Sequence, residues 1–500
     1  MPYYDRLCGA VKHLNLPMLA FDTCFERAAW YRDLADPGSG GMLRESTASS
    51  DFPYSERHLQ CVWYDPLYRP EKLSTTDGEQ ITILHPGRWN LEAGPDFLDA
   101  FLEVGPERRR VQGDVEIHIR PEDWKHHGHS RDLRYNAVAL HVTYWPGGGA
   151  FTPSAEVMHV ALKGALDQVS GFHFESIDTT AYPYAIPPRG GSSLSPFLEQ
   201  WDPDTVARLL DAAGEERLRQ KAERMAIHVM QWGNTQSLYE GIMGALGYKH
   251  NRIPFRQLSR SVTSLELRGV DAPLDALALL LGVAGLMPSD VRDTWDAETR
   301  RFVRSLWDSW WKQQSCWESQ ILPENTWTLA GLRPLNHPVR RMVAAAAFFR
   351  SQIDPADAFL SLDSGDPGQW YREVDALLTI DSALPYWACR ETLGGTARDK
   401  PVALIGKQRR NTILTNVIIP FIAANNRDVS SLLAHVPGEA SNQWIRETAS
   451  ALLGPDHNPA LYADGLRQQG LIQVFHDYYL PNRFDALREL VRQQSTSSLR

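Results

Sequence analysis

The stretch that decides the fold runs from Gly113 to Trp145, GDVEIHIRPEDWKHHGHSRDLRYNAVALHVTYW. Successive side chains of an extended chain point to opposite faces, so Val115, Ile117 and Ile119 share one side and Asp114, Glu116, His118 and Arg120 the other. Near its end Val138, Leu140, Val142 and Tyr144 alternate with His141 and Thr143 in the same way. Strands are expected over Val111–Ile119 and Ala137–Trp145, separated by a polar, histidine-rich insert from Arg120 to Asn136. One face of the first strand is apolar core. The other gathers two acids, an imidazole and a guanidinium, an unusual set for a face packed against apolar neighbours.

Working outward, SERHLQCVWYDPL opens on Ser55 and spaces Leu59, Val62 and Trp63 as an amphipathic helix does. Strands are expected over Gln80–Leu84, Phe97–Val104 and Val157–Leu162, with GPERRR (from Gly105) as a hairpin connection. The turn fixes which acid faces the Glu116–His118 face. An even turn centred on Glu107 and Arg108 pairs Asp99 with Glu116, whereas an odd one sets Asp96 opposite His118. Gly94 and Pro95 predict a bent start to that strand, which favours Asp96.

Of the 16 histidines, six (His85, His118, His126, His127, His129 and His141) lie between His85 and His141. His126, His127 and His129 are too close in one loop for all three to be expected at one centre; His129 with Asp132 or His141 is the better zinc set. As plainer readings, Glu116 pairs with Arg88 or Arg120, and Arg108–Arg110 is a solvated hairpin tip.

The 500 residues are 43% hydrophobic and 22% charged, enough for more than one core. With 51 basic against 61 acidic residues the net charge is −10, which excludes a chain that is basic throughout and leaves a local cationic groove open. The five cysteines (Cys8, Cys24, Cys61, Cys316, Cys389) show no paired spacing, so a reducing compartment is expected. The opening residues lack the pattern of a signal peptide, and the longest apolar run, Ala276–Met287, is too short to span a bilayer. These features point to the cytoplasm, with no membrane partner.

Asp36–Asp51 is rich in Gly and Ser, and Tyr182–Ser195 in Pro and Gly. Beyond the second stretch the apolar period becomes helical to the end of the chain. Four parts are expected: an N-terminal segment and linker over 1–54, an α/β domain over 55–181, a linker over 182–200 and a helical domain over 201–500. Trp307, Trp310, Trp311 and Trp317 read as helical core, and Lys407, Arg409 and Arg410 as a solvated turn or an anion-binding surface.

An acid on one strand, E-x-H on its neighbour and a helix in front resemble the PD-(D/E)xK nucleases in their helix-β-β-β-x-β order. The resemblance implies that Asp96 and Glu116 hold a divalent metal, Mg2+ or Mn2+, and that His118 stands where a lysine orients water. An imidazole there can act as base or as third ligand, and His129 and His141 are auxiliary candidates. On longer motifs the chain resembles the bacterial "domain of unknown function 2851" family. SERHLQCVWYD, ILHPGRWNLEAGPDFLDAFLEVG, the Gly113–Trp145 stretch, LYEGIMGALGYKHNRIPF and LNHPVRRMVAAAAFF carry that likeness from about Ser55 to near the C-terminus.

The resulting expectation is an α+β protein: a mixed-sheet N-terminal domain with a restriction-endonuclease-like core, followed by a mostly helical domain. The activity expected is metal-dependent hydrolysis of phosphodiester bonds in nucleic acid. Two other readings stay open. One is a nucleic-acid-binding or scaffolding protein that has lost catalysis; the other is a domain stabilised by Zn2+.

Overall fold

A computed structural model describes residues 25–35, 52–147, 157–183, 203–350 and, with short interruptions, 354–480. The stretch Asp36–Asp51, and Tyr182–Ser195 beyond its first two residues, lie outside the described residues. The chain divides into two compact units, one taking in Asp36–Gly191 and the other Ala20–Ala35 with Ser192–Arg500. The helix Glu26–Ala35 thus groups with the second unit although it precedes the first in sequence.

In the first unit the helix Glu56–Tyr64 begins where Ser55 turns extended and donates its backbone N–H to His58 Nδ1 (3.3 Å). It buries Leu59, Cys61, Val62 and Trp63. The strands are β1 (Leu73–Ser74), β2 (Gln80–His85), β3 (Arg88–Trp89), β4 (Phe97–Val104), β5 (Arg109–His118), β6 (Val138–Thr143) and β7 (Met158–Ala161). They form one mixed sheet in the order β1-β2-β4-β5-β6-β7, with β3 beside β4. Neighbours are antiparallel as far as β5, whereas β5–β6 and β6–β7 are parallel. A parallel step needs a crossover. The polar insert is that crossover, folded as the short helix Asp123–His126 and two 3₁₀ turns, His129–Arg131 and Leu133–Tyr135. The sheet curls nearly into a barrel, and past β1 the Thr76 N–H donates to the His159 carbonyl of β7 (2.8 Å).

Neither expected hairpin register occurs. Val104 pairs with Arg109 and Ala100 with Gly113, after which the register slips and Phe97 faces Val115. The slip is a β-bulge at Leu98–Asp99, where Asp99 adopts φ 58° and its N–H is held by Asp114 Oδ1 (3.0 Å). Asp99 therefore does not face Glu116, and Asp96 comes level with Glu116 rather than His118. A second slip lies across β5 and β6, between Asp114 and Val115. There Gly113 is required, because a Cβ on it would stand 2.5 Å from the Ala139 Cβ. As a central strand, β5 buries both faces: Val115 and Ile117 on one, Glu116 and His118 on the other.

The second unit is helical. Its longest helix, Pro203–Leu246, breaks direction at Gly233 (φ 76°) and packs against Glu26–Ala35, Tyr248–Ser261 and Gly465–Val474. Gly214 and Gly470 allow the closest of these approaches, since a Cβ on either would strike the backbone of the other helix. The run at Ala276 lies in the buried helix Pro273–Val283, and among the described residues no helix is long and apolar enough to cross a membrane. Trp310 is core as expected, but Trp311 is 62% exposed and stacks on Trp307.

Candidate metal centre

The site forms where β5 ends and the crossover folds back over it. His118, the last residue of β5, is 1% exposed. The helix Asp123–His126 ends at His127, and Gly128 (φ 75°) then reverses the chain. That left-handed step, open to glycine at no steric cost, lets His127 and His129 both turn toward His118.

His118 Nε2 lies 3.1 Å from His127 Nδ1, 3.2 Å from His129 Nε2 and 3.4 Å from Glu116 Oε1. His129 Nε2 is in turn 3.1 Å from the same Glu116 oxygen. One ring nitrogen offers one proton or one lone pair, so His118 Nε2 cannot satisfy three polar neighbours by hydrogen bonding. A shared cation satisfies all of them. Four donors about 2.0–2.1 Å from a zinc ion stand about 3.3–3.4 Å apart along the edges of a tetrahedron. The His118–His127, His118–His129, His118–Glu116 and His129–Glu116 separations fit that size, and the three histidine nitrogens lie within 4.8 Å of one another. Three imidazoles and one carboxylate suit Zn2+ or Mn2+ better than Mg2+, which prefers oxygen donors.

The protonation states point the same way. Burial, then the neighbouring rings of His141, His127 and His129, push His118 down to about 2, and burial likewise lowers His127 and His129. Neutral imidazoles keep the lone pairs that a metal requires. Burial raises the Glu116 carboxyl to about 8. Burial also raises Glu56 to about 8, with the charges of Asp96, Asp123 and Glu116 adding to the effect. Burial is the largest cause of each of these shifts, favouring the neutral form of imidazole and carboxyl alike.

Around the centre, Tyr135 stacks on His129 (3.8 Å between ring centroids) and Trp124 sets its ring edgewise to His118, His129 and His141. His127 is exposed and forms the open edge.

The structure brings Glu116, His118 and His129 together. Asp96 abuts them without joining: its N–H donates to Glu116 Oε2 (3.1 Å), while its carboxylate accepts from Gln60 Nε2 (2.7 Å) and the Ile117 N–H (3.0 Å). His141 lies behind His118, Nε2 to Nδ1 (2.9 Å). Asp132 is spent on Arg134 and on capping a 3₁₀ turn. His127 is the residue that sequence reasoning passed over; the signal for it was the glycine in His-His-Gly-His. His126 points outward toward Asp123, and His85 accepts from the Gly87 N–H. At the hairpin tip Arg108 and Arg110 face Glu103 (2.6 and 3.8 Å). In the second unit Arg410 is paired with Asp375, and Arg409 lies over the Tyr248 ring.

No curated protein and no solved structure matches the chain. A family model described as "Protein of unknown function (DUF2851)" matches residues 56–435, a span that includes every residue of the centre. By that match over most of its length, the chain belongs to the DUF2851 family.

Proposed function

We propose that the first unit is a divalent-metal-dependent hydrolase acting on phosphodiester bonds, with a transition metal of the Zn2+ or Mn2+ class held by His118, His127, His129 and Glu116. The observation that carries this reading is the convergence of the His118, His127 and His129 ring nitrogens within 4.8 Å of one another, with a Glu116 oxygen 3.4 Å from the first and 3.1 Å from the third. A metal in that place supplies an acidified water and a Lewis acid for a phosphoryl oxygen. The chain's own groups do the rest. Asp96 and its partner Gln60 hold Glu116 in place. Glu56, whose carboxyl burial raises to about 8 before any metal binds, is the group we assign as proton donor to a leaving oxygen. The exposed edge at His127 admits a substrate, which favours turnover over a purely structural zinc. The antiparallel β4–β5 pair, with Asp96 just ahead of β4 and Glu116 on β5, followed by a parallel crossover strand, supports the nuclease-like reading of the sheet.

The test uses the full-length protein dialysed against metal-free buffer, with bound metals measured by elemental analysis. DNA and RNA of mixed sequence are then incubated with added Zn2+, Mn2+ or Mg2+, alongside Glu116→Ala and His118→Ala. Retained metal with cleavage lost in both variants supports the reading. Cleavage equal in wild type and variants, or none by wild type with any metal, removes it. Stoichiometric zinc without turnover leaves a zinc-stabilised domain.

A further inference from the structure

Behind the centre stands a row of side chains that the ligand set does not use. Glu116 on β5, His141 on β6 and His159 on β7 are register partners across the parallel part of the sheet. His141 is fully buried, with Nε2 2.9 Å from His118 Nδ1. Its ring stacks on His159 (5.4 Å between centroids) and meets the edge of Trp124. Its other nitrogen, Nδ1, is buried without a hydrogen-bond partner. His159 is engaged elsewhere: Thr143 Oγ1 donates to the Trp145 carbonyl and so accepts from His159 Nε2 (2.9 Å).

Counting protons assigns the tautomers. If His118 Nε2 holds a metal, its proton sits on Nδ1 and must be donated to His141 Nε2. His141 Nε2 is then the bare nitrogen, and its own proton sits on Nδ1, the atom that finds no partner. Leaving a buried N–H unpaired is unfavourable. The fold tolerates it in exchange for a neutral acceptor behind His118. A carboxylate, the common partner of a metal-bound histidine, would put another acid beside Glu116, the register partner of His141.

We propose that His141 is the positioning residue of the centre: by accepting the His118 Nδ1–H it locks His118 in the tautomer and orientation that present Nε2 to His127, His129 and Glu116. The proposal rests on the metal-centre reading above. It assigns His141 a role behind the ligands rather than among them.

Zn2+ affinity is measured by chelator competition on the full-length protein, together with the visible absorption of the Co2+ form. The variants are His141→Phe, which keeps ring volume without an acceptor, and His141→Gln, whose amide oxygen reaches the place of Nε2. His141→Phe is expected to weaken Zn2+ binding by about 10–100-fold and to change the Co2+ spectrum, with His141→Gln restoring most of both. His141→Phe binding as wild type does overturns the proposal, as does His141→Gln failing like His141→Phe while both melt at the wild-type temperature. If wild type takes up neither ion, the centre itself falls and this role falls with it. Wild-type uptake with indifferent variants removes this role alone.

Discussion

Glu56→Gln in the metal-free protein tests the electrostatics of the site most directly. The Glu56 carboxyl is raised from 4.5 to about 8 by burial and by Asp96, Asp123 and Glu116, against a lowering contribution from the Ile119 N–H. A carboxyl whose folded pKa lies above its unfolded value stabilises the protonated fold at low pH. That contribution is lost as pH rises from 4.5 toward 8. With one pKa unit worth about 1.4 kcal/mol, the raised pKa of Glu56 removes about 1 kcal/mol of stability at pH 5.5 and about 4 kcal/mol at pH 8, relative to low pH. Glutamine keeps an acceptor for the Ile119 N–H and carries no charge, so Glu56→Gln is expected to stabilise the protein by about 3 kcal/mol more at pH 8 than at pH 5.5. The assay is urea denaturation of the EDTA-treated full-length chain at the two pH values, with stability read from the midpoint and slope. A gain of equal size at both, or a loss that grows with pH, refutes the reasoning.

Three further outcomes are expected. His127→Ala lowers Zn2+ affinity at least tenfold while its neighbour His126→Ala leaves it unchanged, because only the first ring faces the centre; equal effects in a chelator competition would contradict this. Gly113→Ala forces a methyl against Ala139 and the Ala137 carbonyl (2.5 and 2.9 Å) and is expected to cost about 1–3 kcal/mol in thermal or urea unfolding, with weaker metal binding as the β5–β6 slip is displaced. Glu240 is buried, which raises its pKa, but the Arg256 and Arg260 charges prevail and bring it down to about 2. Its contribution is full above pH 4.5 and lost as pH falls toward 2, so Glu240→Gln should cost about 3 kcal/mol at pH 7 and much less at pH 3, both read by urea denaturation.

The sequence carries the elements of the first unit well and their pairing poorly. Alternation marks β4 at Phe97–Val104, where the strand is found, and the Leu59–Val62–Trp63 spacing marks its helix. Alternation says nothing about a single residue that leaves it. Asp99 turns left-handed and moves Asp96 by one partner, and no composition rule signals that step. β1 and β3, two residues each, are too short to show a period. His118, His129 and Glu116 were legible as candidates because they interrupt an apolar pattern or crowd one loop. His127 was not, because its direction depends on the conformation of Gly128. The same limit applied to His141: alternation put it on the correct face, but only the parallel register shows that it stands behind His118.

The position of Glu26–Ala35 has a consequence for how the protein is made. Its Tyr31 hydroxyl donates to Asp477, 446 residues later, and its Arg27 and Arg32 pair with Glu215 and Glu216. At about 5–20 residues per second a ribosome needs roughly 20–90 s to deliver Asp477 after Tyr31 has emerged. A ten-residue helix is marginal in water by itself. Until the Pro203–Leu246 helix that packs on this segment is made, Phe25, Ala28 and Tyr31, which end fully buried, have no surface from the second unit to cover them. The whole first unit is translated in the meantime. Nascent chains should therefore bind a chaperone through this early segment, and release should begin with synthesis of the Pro203–Leu246 helix rather than with completion of the sheet, the Tyr31–Asp477 bond closing last.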